Sequence, residues 1–387
     1  MPACLDWKNA GFGIYIHWPF CQSKCPYCDF NSHVSKNVNN IDWKKAYLSE
    51  LKRYHSETSD RQVDSIFFGG GTPSLMDPNI VSSIVDQIAK LWGVKNNVEI
   101  SLEANPSSVE AQKFLDFRDA GVNRVSIGVQ ALNDTDLKKL GRLHSVDEAL
   151  EAISIGRKVF NRTSFDLIYA RQEQTIKDWK TELKLALSFE PDHLSLYQLT
   201  IEPNTAFGKL FKNGKLLGLP EEDVSSELYH ITEEICSSNG LLPYEISNYS
   251  KPKHQSIHNK IYWNYGDYIG VGPGAHGRIT NSDGRFATQN YSNPEKWLIC
   301  AHENSGENLR TRISKADQAE EMVMMGLRLN SGISKNRYQT LSGKKFNEKN
   351  LTNLINDDLV LVDRGYIKAT QNGKAVLNSL ILNLLLN

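Results

Sequence analysis

Gly13-Ile14-Tyr15-Ile16-His17-Trp18-Pro19-Phe20-Cys21-Gln22-Ser23-Lys24-Cys25-Pro26-Tyr27-Cys28 joins a short apolar run to three cysteines packed into eight residues. The run is rich in β-branched residues and reads as a buried strand, so the cysteines fall in the loop leaving its C-terminal end. Parallel α/β barrels place their chemistry in such loops. Thiolates bind soft or borderline metals. Three of them can hold three corners of a cubane iron-sulfur cluster and leave the fourth iron open to a substrate or cofactor. A closed tetrahedral zinc site is the competing reading, with His17 or His33 as the fourth ligand.

Cys4, Cys236 and Cys300 are scattered through the remaining sequence and read as ordinary thiols. A chain of 387 residues with six cysteines is too long and too cysteine-poor for a secreted disulfide scaffold. No charged-then-apolar leader precedes Ile14, so a reducing cytoplasm is expected. Leu380 to Leu386, with Asn383 inside it, is too short to cross a bilayer and is expected to pack a terminal element. Lys and Arg number 44 against 45 Asp and Glu, a net charge of -1 that supplies no broad electrostatic footprint for nucleic acid or anionic membrane.

Five further strand candidates follow the first: Val63 to Phe68, Val98 to Glu103, Arg124 to Gln130, Ser164 to Tyr169 and His193 to Leu199. Amphipathic helices fit between them, over Trp43 to Tyr54, Pro78 to Leu91, Ser108 to Ala120, Val146 to Val159 and Thr175 to Leu187. Such alternation predicts an α/β fold with parallel strands and right-handed crossovers, either a barrel or an open doubly wound sheet. The rhythm stops near Pro203. An aromatic- and glycine-rich stretch then carries Tyr262-Trp263-Asn264-Tyr265-Gly266 and Gly270-Val-Gly-Pro-Gly-Ala-His-Gly277. The tail offers helices over Ala319 to Leu329 and Glu348 to Asp357, then a strand-turn-strand over Leu359 to Lys368, the makings of a winged-helix-like module. The expected division is a barrel core over 1–205, an extension over 206–305 and a C-terminal domain over 306–387. No repeat of solenoid length is present.

After the second strand comes Phe68-Gly69-Gly70-Gly71-Thr72-Pro73-Ser74. It lacks the Lys-Ser/Thr of a P-loop and the spacing of a dinucleotide fingerprint. Three consecutive glycines exceed what a plain tight turn needs, and their missing Cβ atoms let backbone approach a ligand closely. Glu103, Gln130 and Asp166 lie in or at the ends of later strands, where a barrel brings side chains to one rim. Arg142, in Leu140-Gly-Arg-Leu-His144, could pair with a ligand carboxylate.

Cys21-Gln-Ser-Lys-Cys25-Pro-Tyr-Cys28 resembles the signature of the radical S-adenosylmethionine (radical SAM) family. The resemblance implies a partial (βα)6 barrel, a [4Fe-4S] cluster on Cys21, Cys25 and Cys28, and SAM chelating the open iron, where an electron from the cluster cleaves it to a 5′-deoxyadenosyl radical. Tyr15, Gly70, Gly71, Thr72, Glu103, Gln130, Arg142 and Asp166 match positions that bind SAM in the branch similar to oxygen-independent coproporphyrinogen III oxidases.

Two features separate members of that branch. The oxidases carry a further cysteine two positions past the triad, where this chain has Phe30, and a longer segment before the first strand. His258-Asn259-Lys260-Ile261-Tyr262-Trp263 matches the His-Asn-x-x-Tyr-Trp motif associated with heme binding in the heme chaperones of the HemW family. A neutral imidazole is a good axial ligand and aromatics can shield a porphyrin, so His258 is the expected heme ligand, with His254 as a rival, while His276 sits in the glycine-rich loop where it could face SAM or porphyrin. One departure stands out: the family usually continues Gly-Leu-Pro after Tyr169, and this chain has Ala170-Arg171-Gln172.

The resemblance therefore implies a heme carrier, with heme-accepting apoproteins and a flavodoxin- or ferredoxin-type reductant as partners, no nucleic acid, no stable membrane insertion, and a homodimer compatible with it. The rival is a coproporphyrinogen dehydrogenase. A structural metal protein binding nucleic acid through its tail comes third.

Overall fold

The computed structural model describes residues 3–35, 38–303 and 305–385; the side chain of Cys4 and residue Leu386 lie outside what it describes. Six strands, β1 (Phe12–Trp18), β2 (Val63–Gly70), β3 (Val94–Ala104), β4 (Arg124–Gln130), β5 (Arg162–Tyr169) and β6 (His193–Gln198), pair in parallel in chain order. Their registers run Ile14↔Ile66↔Ile100 and Val125↔Thr163, with Phe165↔Leu194 closing the series. This is the partial barrel of the α/β class.

Alternation along the strands explains the architecture. Side chains on one face, such as Ile14, Ile66, Leu102, Val125, Phe165 and Leu194, are buried in one large apolar core. The other face is polar, with Glu103↔Ser126 and Asp166↔Ser195 as cross-strand neighbours. A period of two therefore splits each strand between an apolar outer layer and a polar bore.

Crossover helices begin where side chains satisfy their first amides. Asn39 caps Asn40–Thr58, Asp77 caps Pro78–Trp92, and Ser145 with Glu148 and Thr175 with Asp178 form reciprocal capping boxes. The single helix expected over Ser108 to Ala120 is instead two, Ser108–Ala111 and Phe114–Asp119. The Lys113 amide donates to Glu110 O at 3.0 Å, a tight turn that breaks the ladder, while the Glu110 carboxylate turns inward and accepts from Ser74 and from the Asn105 amide.

On the far side of β1 the sheet continues through β7 (Asp267–Val271), parallel to it, and then antiparallel through β8 (His276–Asn281), β9 (Gly284–Asn290) and β10 (Glu307–Arg312). Beyond β6 the sheet ends in two short antiparallel strands, Asn248–Ser250 paired with β6 and Leu242–Pro243 paired with Asn248–Ser250. Because β10 pairs with β9, the segment from 307 to 312 is part of this sheet rather than of the tail. The seven-residue helix Ile257–Trp263 packs against β1, β2 and β7.

The tail runs helix Lys315–Gly326, strand Ile333–Ser334, helices Lys335–Ser342 and Glu348–Asn356, then the hairpin Val360–Asp363 and Tyr366–Ala369, the order of a winged helix. Arg364 and Gly365 both take positive φ, 48° and 82°, in the two-residue hairpin turn. The helix Leu377–Leu385 buries Leu380, Ile381 and Leu384 in a second core. Arg337 ties this unit to the N-terminal segment through Asp6, at 2.7 and 2.8 Å.

Candidate functional site at the barrel rim

A cavity of about 490 Å³ opens at the C-terminal ends of the parallel strands. Cys21, Cys25, Cys28, Gly70, Gly71, Thr72, Glu103, Gln130, Arg142 and Asp166 all line it. Residues spread over 146 positions of sequence, from 21 to 166, thus share one wall.

The cysteine loop is held by its neighbours as well as by its own turn, in which Cys28 N donates to Cys25 O at 3.2 Å. Gly71 N donates to Trp18 O at 2.7 Å and Thr72 N to Phe20 O at 2.9 Å, laying the glycine run against the exit of β1. A Cβ on Gly71 would lie 2.8 Å from Phe20 O, and one on Gly70, where φ is +110°, would lie 2.5 Å from His17 Cε1. The glycines therefore admit the cysteine loop as much as any ligand. The Thr72 hydroxyl donates to Cys21 Sγ at 3.4 Å, and Arg142 donates to Cys25 Sγ at 3.5 Å and to Asn105 Oδ1 at 2.7 Å. Pro26 O accepts from Phe207 N at 2.8 Å, and Gly141, with φ +68°, leaves room for the Pro26 ring.

These surroundings suit a multi-iron cluster. Each iron takes its own thiolate, so the ligands need not converge on a point, and hydrogen bonds from Thr72 and Arg142 stabilise sulfur charge. Burial raises the thiols of Cys21 and Cys28, a cost that binding as thiolates to a metal would have to offset. No group of three or more His, Cys, Asp or Glu among the described residues is gathered tightly enough for a single ion. His17, a candidate zinc ligand, has both ring nitrogens engaged: Nδ1 with Tyr15 OH at 3.0 Å and Nε2 with Asn31 O at 2.9 Å. Its surroundings lower it to about 4, burial being the largest cause, so it stays neutral.

Opposite the loop stand two carboxyls with different charge. Burial, then the neighbouring Asp166, raise Glu103 to about 8, and its Oε2 accepts from Gly70 N at 3.2 Å. Asp166 is raised to about 6, chiefly by burial, while Ser126 donates to it at 3.2 Å. At neutral pH Glu103 keeps its proton and Asp166 is anionic, so this wall can both donate to and attract a cationic ligand. Gln130 has φ +70°, rare for a residue with a side chain, at a register shift between β4 and β5. Its strained backbone terminates the pairing at the rim.

Sequence reasoning missed Asn105 and Ser126 as members of this wall. Ser126 was signalled by alternation, sharing a face with Gly128 and Gln130. Asn105, placed by the extended backbone before Pro106, links Arg142 to Thr72, to which its Nδ2 donates at 3.3 Å.

Two expected site residues are not in the cavity lining. Tyr15 lies behind it, its hydroxyl engaged by His17. His258 is buried at 1% exposure, with Nδ1 2.8 Å from Ser65 Oγ and Nε2 2.8 Å from Tyr262 OH. Both nitrogens are occupied, so in this structure it offers none to a heme iron. His254 is half-buried with Nδ1 3.8 Å from Asp192, and His276 is exposed at the start of β8. Cys236 is buried in the core and Cys300 is on the helix Pro294–Glu303, away from the triad.

At the departure over residues 170–172 the backbone still turns left-handed. Ala170 adopts φ +57°, the left-handed region that glycine favours. Arg171 is buried and bridges Asp136 at 2.7 Å and Glu182 at 2.6 Å, fastening the loop without proline.

Barrel, glycine run and cysteine loop together define a radical SAM protein, and comparison agrees: residues 15–186 match the radical SAM superfamily, to which the chain belongs, and residues 313–376 match the HemN C-terminal domain. Among its relatives is the heme chaperone HemW of Escherichia coli (strain K12), 35% identical over 382 residues, covering 97% of this chain and 98% of that one. Radical S-adenosyl methionine domain-containing protein 1, mitochondrial, from Mus musculus is 34% identical over 387 residues, covering 96% and 87%. The solved structure of coproporphyrinogen III oxidase (HemN) from Escherichia coli has a TM-score of 0.82 over 99% of this chain and 92% of that one at 20% identity, a likeness of fold.

Proposed function

We propose that this protein is a cytoplasmic radical SAM-type heme chaperone, binding a [4Fe-4S] cluster, SAM and heme and passing heme to apoproteins. The observation that carries the reading is the convergence of Cys21, Cys25, Cys28, Gly70, Gly71, Thr72, Glu103, Gln130, Arg142 and Asp166 on one cavity, in a chain similar to HemW over nearly its whole length. When bound, the cluster supplies a reducing electron to SAM. Cys21, Cys25 and Cys28 hold it, and Thr72 and Arg142 stabilise charge on its sulfur ligands. Asp166 and Glu103, on the cavity wall, would supply the carboxyl groups for the cationic groups of SAM, and Gly70 and Gly71 would let backbone approach it closely. The reductant is of the flavodoxin or ferredoxin type.

Phe30 supports a carrier over an oxidase. It stands on the cavity lining, 56% exposed, where the oxidases that the sequence resembles have a further cysteine. With Leu143, 69% exposed on the same rim, it offers apolar surface to a macrocycle. Heme ligation falls to an exposed histidine such as His276 rather than to His258. The test is anaerobic reconstitution followed by incubation with coproporphyrinogen III and, separately, release of bound heme to a heme-depleted acceptor. Heme release without porphyrinogen decarboxylation supports the chaperone; sustained turnover of coproporphyrinogen III contradicts it.

A further inference from the structure

We infer that the His-Asn-x-x-Tyr-Trp helix supports the SAM cavity from inside the barrel, with His258 a positioning residue that fixes Tyr15 and, through Tyr15 and His17, the cysteine loop. The inference rests on the SAM-site reading above.

The helix Ile257–Trp263 is locked to the barrel floor by one buried carboxylate. Glu99 on β3 accepts from Ser256 Oγ at 3.2 Å and from the amides of Ile257 and His258 at 3.0 and 3.1 Å, and pairs with Arg162 at 2.7 Å. That fixes the direction in which His258 enters the bore. Its ring then occupies a slot with no spare room. It stacks on Phe67, with centroids 4.9 Å apart, and on Tyr15 at 6.3 Å. Gly13 leaves the space the imidazole needs, since a Cβ there would lie 3.3 Å from Nδ1. Ser65 and Tyr262 take the two nitrogens, and each hydroxyl can donate or accept, so a neutral ring satisfies both. Turning His258 outward would strand two buried hydroxyls and empty the slot.

From this ring a continuous set of contacts reaches the cavity. Tyr15, Phe67 and Glu103 meet at Gly69, where a Cβ would lie 2.9 Å from Tyr15 Cε2, 3.0 Å from Phe67 Cε1 and 3.2 Å from Glu103 Oε2. The Tyr15 hydroxyl engages His17 at 3.0 Å, and His17 holds Asn31 O at 2.9 Å, three residues past Cys28. Tyr47 donates to His17 O at 2.6 Å and keeps this residue from shifting. The motif helix and the metal-binding loop are thus joined by stacked rings and hydrogen bonds, and removing the imidazole loosens both Tyr15 and the Glu103 wall.

The experiment uses the full chain, reconstituted anaerobically, as wild type, His258→Ala and Tyr262→Phe. Electron paramagnetic resonance of the reduced cluster, titrated with SAM, reads the cavity; the absorption and ferric-heme resonance spectra of the heme-loaded protein read iron ligation. The expected result is SAM binding weakened about fivefold or more in His258→Ala and measurably in Tyr262→Phe, with iron content and heme spectra as in wild type. If His258→Ala abolishes histidine ligation of heme while SAM titrates as in wild type, the inference is overturned. Should His258→Ala not fold, or lose both properties, Tyr262→Phe decides: it keeps the imidazole and frees Nε2, so unaltered SAM binding contradicts the inference and weakened SAM binding with unaltered heme supports it. A wild type that takes up neither cluster nor SAM refutes the underlying site reading instead.

Discussion

The hydroxyl of Thr72 donates to the sulfur of Cys21 across 3.4 Å, joining the end of the glycine run to the first cysteine of the triad. A hydrogen bond to a cluster sulfur stabilises the more negative, reduced state and so raises its potential. Thr72→Val removes it while keeping a branched side chain. The expected outcome is full iron content with a midpoint potential lower by ~20–60 mV, the one-electron equivalent of a hydrogen bond of roughly ordinary net strength. Potentiometric titration of the cluster signal checks it.

Glu103 makes the stability of the ligand-free protein depend on pH. Its carboxyl is raised from an ordinary 4.5 to about 8. Below 4.5 both folded and unfolded chains hold this proton; between the two values only the folded chain does, so raising the pH favours unfolding. Stability is therefore expected to fall as pH rises from 4.5 toward about 8 and to level off above. Asp166, raised to about 6, adds a smaller decline over the lower part of that window. In Glu103→Gln the decline above pH 6 should largely vanish, as measured by denaturant unfolding across the series.

Ala170 holds a left-handed conformation, φ +57°, that costs an L-residue about 1 kcal/mol or more relative to glycine. Ala170→Gly is expected to stabilise the protein by roughly 0.5 kcal/mol, once the greater freedom of glycine in the unfolded chain is subtracted. Arg171→Leu should have the opposite effect. It leaves the buried Glu182 without its cation, held only by Leu132 N and Gln174, and costs about 3 kcal/mol. Chemical denaturation of both variants tests the pair.

Gly70→Ala tests the packing of the glycine run. The added methyl would meet the His17 ring at a backbone angle of +110° that alanine avoids. Because His17 holds the cysteine loop through Asn31, the variant should lose iron after reconstitution while its helical circular dichroism persists. Normal iron content would show that the loop does not depend on this contact.

Strand positions could be read in the sequence because each carries a short apolar set, and the polar residues at strand ends, Glu103, Gln130 and Asp166, marked the rim of the bore, whereas Ser126, inside its strand, was passed over. The cysteine spacing marked the metal-binding loop. What could not be read was long-range pairing: nothing local to Asp267–Val271 shows that it adds to β1. The helix break after Ala111 was hidden because its cause, Glu110 reaching Ser74 and Asn105, is tertiary. The burial of His258 was hidden for a related reason. A motif names side chains but not their direction, and this histidine turns inward because Glu99, on a strand some 160 positions earlier, fixes the start of its helix.

Anaerobic titration of the reconstituted protein with hemin, followed by absorption, tests the heme-carrier reading most directly. Saturable uptake of about one heme per chain is expected, unchanged in His258→Ala and weakened when an exposed histidine such as His276 is replaced. An absence of saturable heme uptake by a protein carrying its full iron-sulfur complement would contradict it.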